Sequence, residues 1–150
     1  MKPTILLVED DANDAFLMQR AFGKGSVPVQ VQIAGDGREA LRYLRGEGDY
    51  ANRERHPLPL LTLLDLNIPY IPGLQVLKQI REDPRLRTLI IVVLTSSVAA
   101  ADVKRAYDLG ANSFLSKPSG LEKVQELVEL LDRYWLNTNK MCGGVTECAV

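Results

Sequence analysis

Leu60-Leu61-Thr62-Leu63-Leu64-Asp65-Leu66-Asn67 is the stretch on which the reading of this chain turns. Five residues, four of them leucine, run without a charge and stop at a carboxylate. Pro59 stands before the run, and Pro69 and Pro72 follow it. A short apolar run bounded by turn formers suits a strand buried on both faces. Asp65 then lies where that strand leaves the core, and open α/β sheets collect ligand chemistry at the carboxyl ends of their strands. An Asp at such a place can also cap a helix. Here Leu-Asn-Ile-Pro follows, and helical periodicity resumes only near Gly73. Asp65 is therefore the first candidate for a reactive group.

Two more runs share this texture. Thr4-Ile5-Leu6-Leu7-Val8 ends in Glu9-Asp10-Asp11, and Leu89-Ile90-Ile91-Val92-Val93-Leu94 ends in Thr95-Ser96-Ser97. Val29-Gln30-Val31-Gln32-Ile33 alternates with period two, which predicts one wet face and a place at a sheet edge. Ser113-Phe114-Leu115 is a short strand ending in Ser116-Lys117-Pro118. Helical patterns fill the intervals at 13–22, with Asp11 or Asn13 as cap, then at 36–45, 73–82, 99–109 and 121–135. Strict alternation of five strands and five helices implies an α/β fold, a parallel sheet with helices on both faces. The two weak strands should flank the three strong ones, as in the flavodoxin-like doubly wound order 2-1-3-4-5.

With 150 residues the chain can bury one substantial core, and no repeat or second domain is visible. The domain is expected over residues 1–136, with 137–150 as a tail. A net charge of -1 and no basic stripe argue against nucleic acid. No apolar stretch reaches membrane-spanning length and no signal peptide is apparent, so a cytoplasmic protein is expected. Cys142 and Cys148 match no metal spacing and are expected as free thiols. His56, in the charged and proline-containing 46–59 connection, is expected to be solvated. Phe22-Gly23-Lys24-Gly25-Ser26 is not a phosphate loop, because that motif's first glycine would fall on Met18.

In the predicted order, Glu9 and Asp10, Asp65 and Asn67, Thr95, and Lys117 gather at one rim. Each has a bland use alone, but four coincidences at one edge call for a common cause. Crowded carboxylates repel unless a cation joins them. A few hard oxygen ligands with room for water describe a Mg²⁺ site. Beside it, Asp65 can attack phosphorus, Lys117 can balance phosphoryl charge and Thr95 can hydrogen-bond the new oxygens.

These segments resemble the receiver domain of two-component response regulators: Ile5-Leu6-Leu7-Val8-Glu9-Asp10-Asp11, Leu63-Leu64-Asp65-Leu66-Asn67, Leu94-Thr95-Ser96 and Phe114-Leu115-Ser116-Lys117-Pro118. The 46–59 connection, Asp-Leu-Asn at the acceptor and Tyr134-Trp135-Leu136 are similar to the single-domain regulators that partner cyanobacterial phytochromes. The resemblance implies that Asp65 takes a phosphoryl group from a sensor histidine kinase, here of the phytochrome type, in a phosphorelay. It implies Mg²⁺ on Asp10, Asp65 and the Asn67 backbone carbonyl, with Glu9 acting mostly through water. It also implies a switch pair of Thr95 and Phe114, and no enzymatic activity beyond autophosphatase turnover. Two positions depart from the family. Pro72 stands where an acid usually precedes glycine, and Leu60 replaces the usual Asp at the start of strand three.

Output is then expected to run through surfaces. At about 100° per residue, Leu121, Val124, Leu127, Val128, Leu130, Leu131, Tyr134 and Trp135 spread over about 180° of the last helix, wider than one covered face needs. Leu121, Val124, Val128 and Leu131 are assigned to the sheet. Leu127, Leu130, Tyr134 and Trp135 are left as a candidate homodimer surface. Two rival functions stay in view: a pseudo-receiver that binds without phosphorylation, and a Mg²⁺-dependent phosphohydrolase with an aspartyl phosphate intermediate. The full set Asp10, Asp65, Thr95 and Lys117 argues against the first. The lack of a second acid in Asp65-Leu66-Asn67 and of a cap segment argues against the second.

Overall fold

The computed structural model describes residues 2–141. Five strands alternate with five helices: β1 (Thr4–Val8), α1 (Ala12–Gly23), β2 (Gln30–Ala34), α2 (Gly37–Arg45), β3 (Leu61–Leu64), α3 (Gly73–Glu82), β4 (Ile90–Thr95), α4 (Ala100–Asp108), β5 (Ser113–Ser116) and α5 (Leu121–Leu131). All strand pairs are parallel, and the sheet order is β2-β1-β3-β4-β5. This is the flavodoxin-like doubly wound order expected from the texture of the strands.

The alternation of side chains along each strand divides the core into two layers. Ile5, Leu7, Leu61, Leu63, Val92 and Leu94 face α1 and α5, where Met18, Phe22, Val124 and Val128 meet them. Leu6, Val8, Leu64 and Ile91 face α2 and α3, against Leu41, Leu44, Leu77 and Ile80. Burial on both faces is why β1, β3 and β4 read as unbroken apolar runs.

Several local expectations are corrected. In β2, at the sheet edge as predicted, Ile33 is exposed, Gln30, Val31 and Gln32 are half-buried and Ala34 alone is buried, so the alternation does not give one dry face along the strand. Leu121, expected on the sheet, is exposed, because β5 is short and α5 makes contact from Val124 onward. The last helix does not end near Trp135; it continues as a π-helical turn over Asp132–Thr138, past the expected start of the tail. The 46–59 connection is braced from within. It contains a 3₁₀ turn (Gly48–Tyr50), and the Tyr43 hydroxyl donates to the Pro57 carbonyl at 2.8 Å. His56 packs edge-on against the rings of Tyr43 and Tyr50, so it is not a solvated loop histidine. Cys142 and Cys148 lie outside the described residues. Among those described, no helix is long and apolar enough to cross a membrane.

Candidate functional site

Parallel pairing brings the carboxyl ends of β1, β3, β4 and β5 to one rim. Val8 is opposite Leu64, Leu64 opposite Val93, and Thr95 opposite Ser116. The ladder continues past the strands: Glu9 N–H donates to Ala34 O at 3.0 Å, Asp65 N–H to Val8 O at 3.2 Å, and Lys117 N–H to Thr95 O at 2.9 Å. The backbone at each of these three tips is therefore held by a neighbouring segment, and the side chains beyond are aimed by the sheet.

Glu9, Asp10 and Asp65 each offer a carboxylate oxygen, all within 4.8 Å of one another. Glu9 and Asp65 are buried while Asp10 is exposed, so the group opens to solvent on one side. Lys117 reaches into it from β5. Its ammonium lies 2.6 Å from Glu9 Oε2, 2.8 Å from Asp65 Oδ2 and 3.2 Å from Asp14 Oδ2. Burial is the largest influence on Glu9 and pushes its carboxyl above the usual range, with the Asp65 charge adding; Lys117 and the Asp11 N–H pull it back only in part. Burial also pulls the Lys117 ammonium down, but hydrogen bonds to Asp65 and Glu9 outweigh it, and the net displacement is upward. The ammonium stays charged at neutral pH. The donor set is hard oxygen, few in number and open on one side, which fits Mg²⁺.

The Asp65 Oδ1 atom accepts from Asn67 N–H at 3.2 Å, which sets the start of the turn after β3. Two glycines let that turn lie close. A Cβ on Gly73 would collide with the Asp65 carbonyl oxygen, and one on Gly37 with the Ile71 carbonyl oxygen. Pro72 precedes α3 without a side-chain cap. Tyr70 takes a left-handed φ of 68°, and the Arg38 guanidinium lies 3.7 Å from the centre of its ring.

Thr95 is fully buried at the tip of β4, where its hydroxyl accepts from Ser97 N–H at 3.4 Å. Phe114 is half-buried against Leu66, Val93 and Ala106. The β4–α4 loop between them is lightly held. Ala99 gives α4 no side-chain cap, and the Ser97 hydroxyl reaches Asp102 at 2.6 Å instead. Of the candidate dimer residues, Leu130 and Tyr134 are exposed, 62% and 52%, whereas Leu127 and Trp135 pack partly against the α1–α5 layer.

Asp14 is the residue that sequence reasoning missed. Its signal was modest: an acid in the first turn of α1, four residues after Asp10. Asp11 caps that helix through N–H groups of Asn13 and Asp14 at 2.9 and 3.0 Å.

Comparison with known proteins agrees with this geometry. The family model of the response regulator receiver domain matches residues 5–129. The "Probable methanogenesis regulatory protein FilR2" of Methanothrix harundinacea is 41% identical over 140 residues, 93% of this chain and 87% of its own length. Response regulator Rcp1 of Synechocystis is 37% identical over 134 residues, 89% of each chain. The crystal structure of its Mn²⁺-bound form matches with a TM-score of 0.85, over 94% of this chain and 99% of that one. The phosphorylated cyanobacterial phytochrome response regulator RcpA, 38% identical, matches with a TM-score of 0.88 over 94% and 99% of the two chains.

Proposed function

Because the chain belongs to the response regulator receiver domain family, we propose that it accepts a phosphoryl group on Asp65 from a sensor histidine kinase of the phytochrome type and signals through its surfaces. One observation carries this reading: the Asp65 carboxylate is 2.8 Å from the Lys117 ammonium, with oxygens of Glu9 and Asp10 within 4.8 Å. The similarity to RcpA and Rcp1 supports the phytochrome-type partner, and a cytoplasmic location is part of the proposal.

Glu9, Asp10, Asp65 and the Asn67 backbone carbonyl are the groups that would hold Mg²⁺, which supplies positive charge against the phosphoryl oxygens. The chain's own residues do the rest. The Asp65 carboxylate attacks phosphorus in line as the donor's P–N bond breaks, and the bonding pair leaves with the imidazole. Lys117, held at the rim, gives its ammonium to a phosphoryl oxygen, so the new dianion meets an existing cation. Thr95 turns its hydroxyl toward the group, and Phe114 moves inward as the β4–α4 loop follows. Such a switch is a population shift between two packings, biased by one new charge.

Incubation with a small phosphoryl donor and Mg²⁺, followed by intact mass, tests this. A single labile phosphate is expected on the parent and none on Asp65→Asn. No labelling of the parent would favour the pseudo-receiver, and steady turnover of a general ester the phosphohydrolase. Output through a homodimer is the second part of the proposal. Leu130 and Tyr134, exposed on the α5 side, supply the apolar contact, with Leu127 and Trp135 beneath them. Leu130→Glu should convert a dimer to a monomer by light scattering, and a parent that is monomeric at tens of micromolar, the range of ordinary affinities, would end the dimer idea.

A further inference from the structure

Lys117 occupies two of the three side chains that a divalent cation would use. Its ammonium sits on Glu9 Oε2 and Asp65 Oδ2, and both carboxylates belong to the group of three with Asp10. Metal and ammonium therefore compete for the same oxygens, and they repel each other. An ammonium has three N–H donors, and the third points to Asp14 Oδ2 at 3.2 Å. Asp14 is not in the metal-binding group, and its side chain is about half exposed (46%), so it can take a closer ion pair with little desolvation. Its backbone N–H is held by the Asp11 cap at 3.0 Å, which sets the carboxylate on the first turn of α1, beside Lys117.

We infer that Asp14 is a positioning residue that receives the Lys117 ammonium when a divalent cation claims Glu9 and Asp65, keeping the lysine at the rim for the incoming phosphoryl group. This rests on the proposed reading of the acid group as a metal site. A competing use for Asp14 is as an acid favoured by the α1 dipole. That use does not involve Lys117, which is how the two are told apart.

The probe is Mn²⁺ at low ionic strength, with free ion counted by electron paramagnetic resonance on the full chain. Asp14→Asn should weaken binding about three- to fivefold, the most that a half-exposed ion pair supplies. Asp14→Glu should restore it. In a Lys117→Gln background, or Lys117→Met should that variant fold better, Mn²⁺ should bind more tightly than to the parent and the loss on Asp14→Asn should vanish. Unchanged binding by Asp14→Asn, or a loss that persists undiminished without Lys117, overturns the inference while leaving the metal site standing. Failure of the parent itself to bind Mn²⁺ overturns both.

Discussion

The two ends of the sheet each draw cationic side chains into the protein, and they hold them differently. At the carboxyl ends, Lys117 is held by three carboxylates, those of Glu9, Asp65 and Asp14. At the amino ends, Arg81 donates to the carbonyls of Gly110, Arg87 and Leu89 and to Asn112 Oδ1, at 2.7–2.9 Å. Arg53 donates to the carbonyls of Tyr43, Leu44 and His56 at 2.6–3.1 Å. Burial lowers both guanidinium groups from their usual range, while Lys117 is displaced upward despite burial. These carbonyl acceptors carry no net charge and each faces a guanidinium, so the arginines tie segments together. Carboxylates can be claimed by another cation or by a phosphoryl group's counterions. The rim is exchangeable, and the foot is a clamp.

Lys117→Ala breaks this contrast with the largest effect. Loss of one charge aimed at the phosphoryl oxygens should slow labelling by about 10²–10³-fold. It also leaves Glu9 and Asp65 facing each other without a cation, so millimolar Mg²⁺ should raise the melting temperature of this variant more than that of the parent. Equal labelling rates, measured by intact mass over time, would mean that Lys117 is a structural ion pair only.

At the foot the expectation reverses. Arg81→Met removes the guanidinium from three carbonyls, of which those of Gly110 and Leu89 are part-buried, and from the Asn112 amide oxygen, which keeps its bond from Ile91 N–H at 2.7 Å. Stability in urea should fall by about 2–4 kcal/mol, with labelling of the folded fraction unchanged. Arg81→Lys should recover little of it, because a single ammonium cannot reproduce the planar fork across four acceptors. Rescue of Arg81→Met by Mg²⁺ would show that the two ends are not independent.

These two ends differ as much in what the sequence reveals of them. The rim was legible because unbroken apolar runs mark buried strands, Glu9, Asp65 and Thr95 each stand directly after one, and Lys117 follows the short strand Ser113–Ser116. The parallel sheet and its order followed from the same runs. Asp14 was not legible, because its partner Lys117 lies 103 residues away and an acid in a first helical turn already has a local use. Arg81 and Arg53 were hidden for another reason: their acceptors are backbone carbonyls, which every residue carries. His56 was misjudged because its polar neighbours in sequence are not its neighbours in space. Leu121 failed because angular spacing on a helix does not say how far a short β5 extends beneath it.

Alkaline pH should separate the ends again, with a smaller effect. Burial pushes the Tyr43 hydroxyl up to about 12, against an ordinary value near 10, and Tyr50, hydrogen-bonded to Glu39, is pushed equally far. Their neutral forms are favoured in the folded state, so this stability is fully present below pH 10. It is lost as the unfolded chain ionises first, between about pH 10 and 12. Lys117 is displaced upward in the folded protein and keeps its ion pairs there, so labelling of the folded fraction at Asp65 should hold while stability falls. Tyr43→Phe should cost about 1 kcal/mol at neutral pH, through the lost bond to Pro57, and should flatten the alkaline decline. A decline of unchanged steepness would place the titrating group elsewhere.

The smallest effect lies between the ends. Thr62 lies on β3, three residues before Asp65, paired with Leu6 and Ile91 and 1% exposed, and its hydroxyl has no hydrogen-bond partner among the described residues. Its neighbours in the sheet belong to the apolar layer under α2 and α3. Replacing an unpaired buried hydroxyl with a methyl of the same shape removes a desolvation cost and leaves the packing intact. Thr62→Val should therefore raise stability by up to about 1 kcal/mol, read as a shifted urea midpoint with the same slope. Labelling of Asp65 should not change, because the strand tip is held by Val8 O and Asn67 N–H rather than from below. A stabilised variant that labels at a different rate would mean that β3 transmits strain from the foot to the acceptor, and the separation of rim from clamp would have to be abandoned.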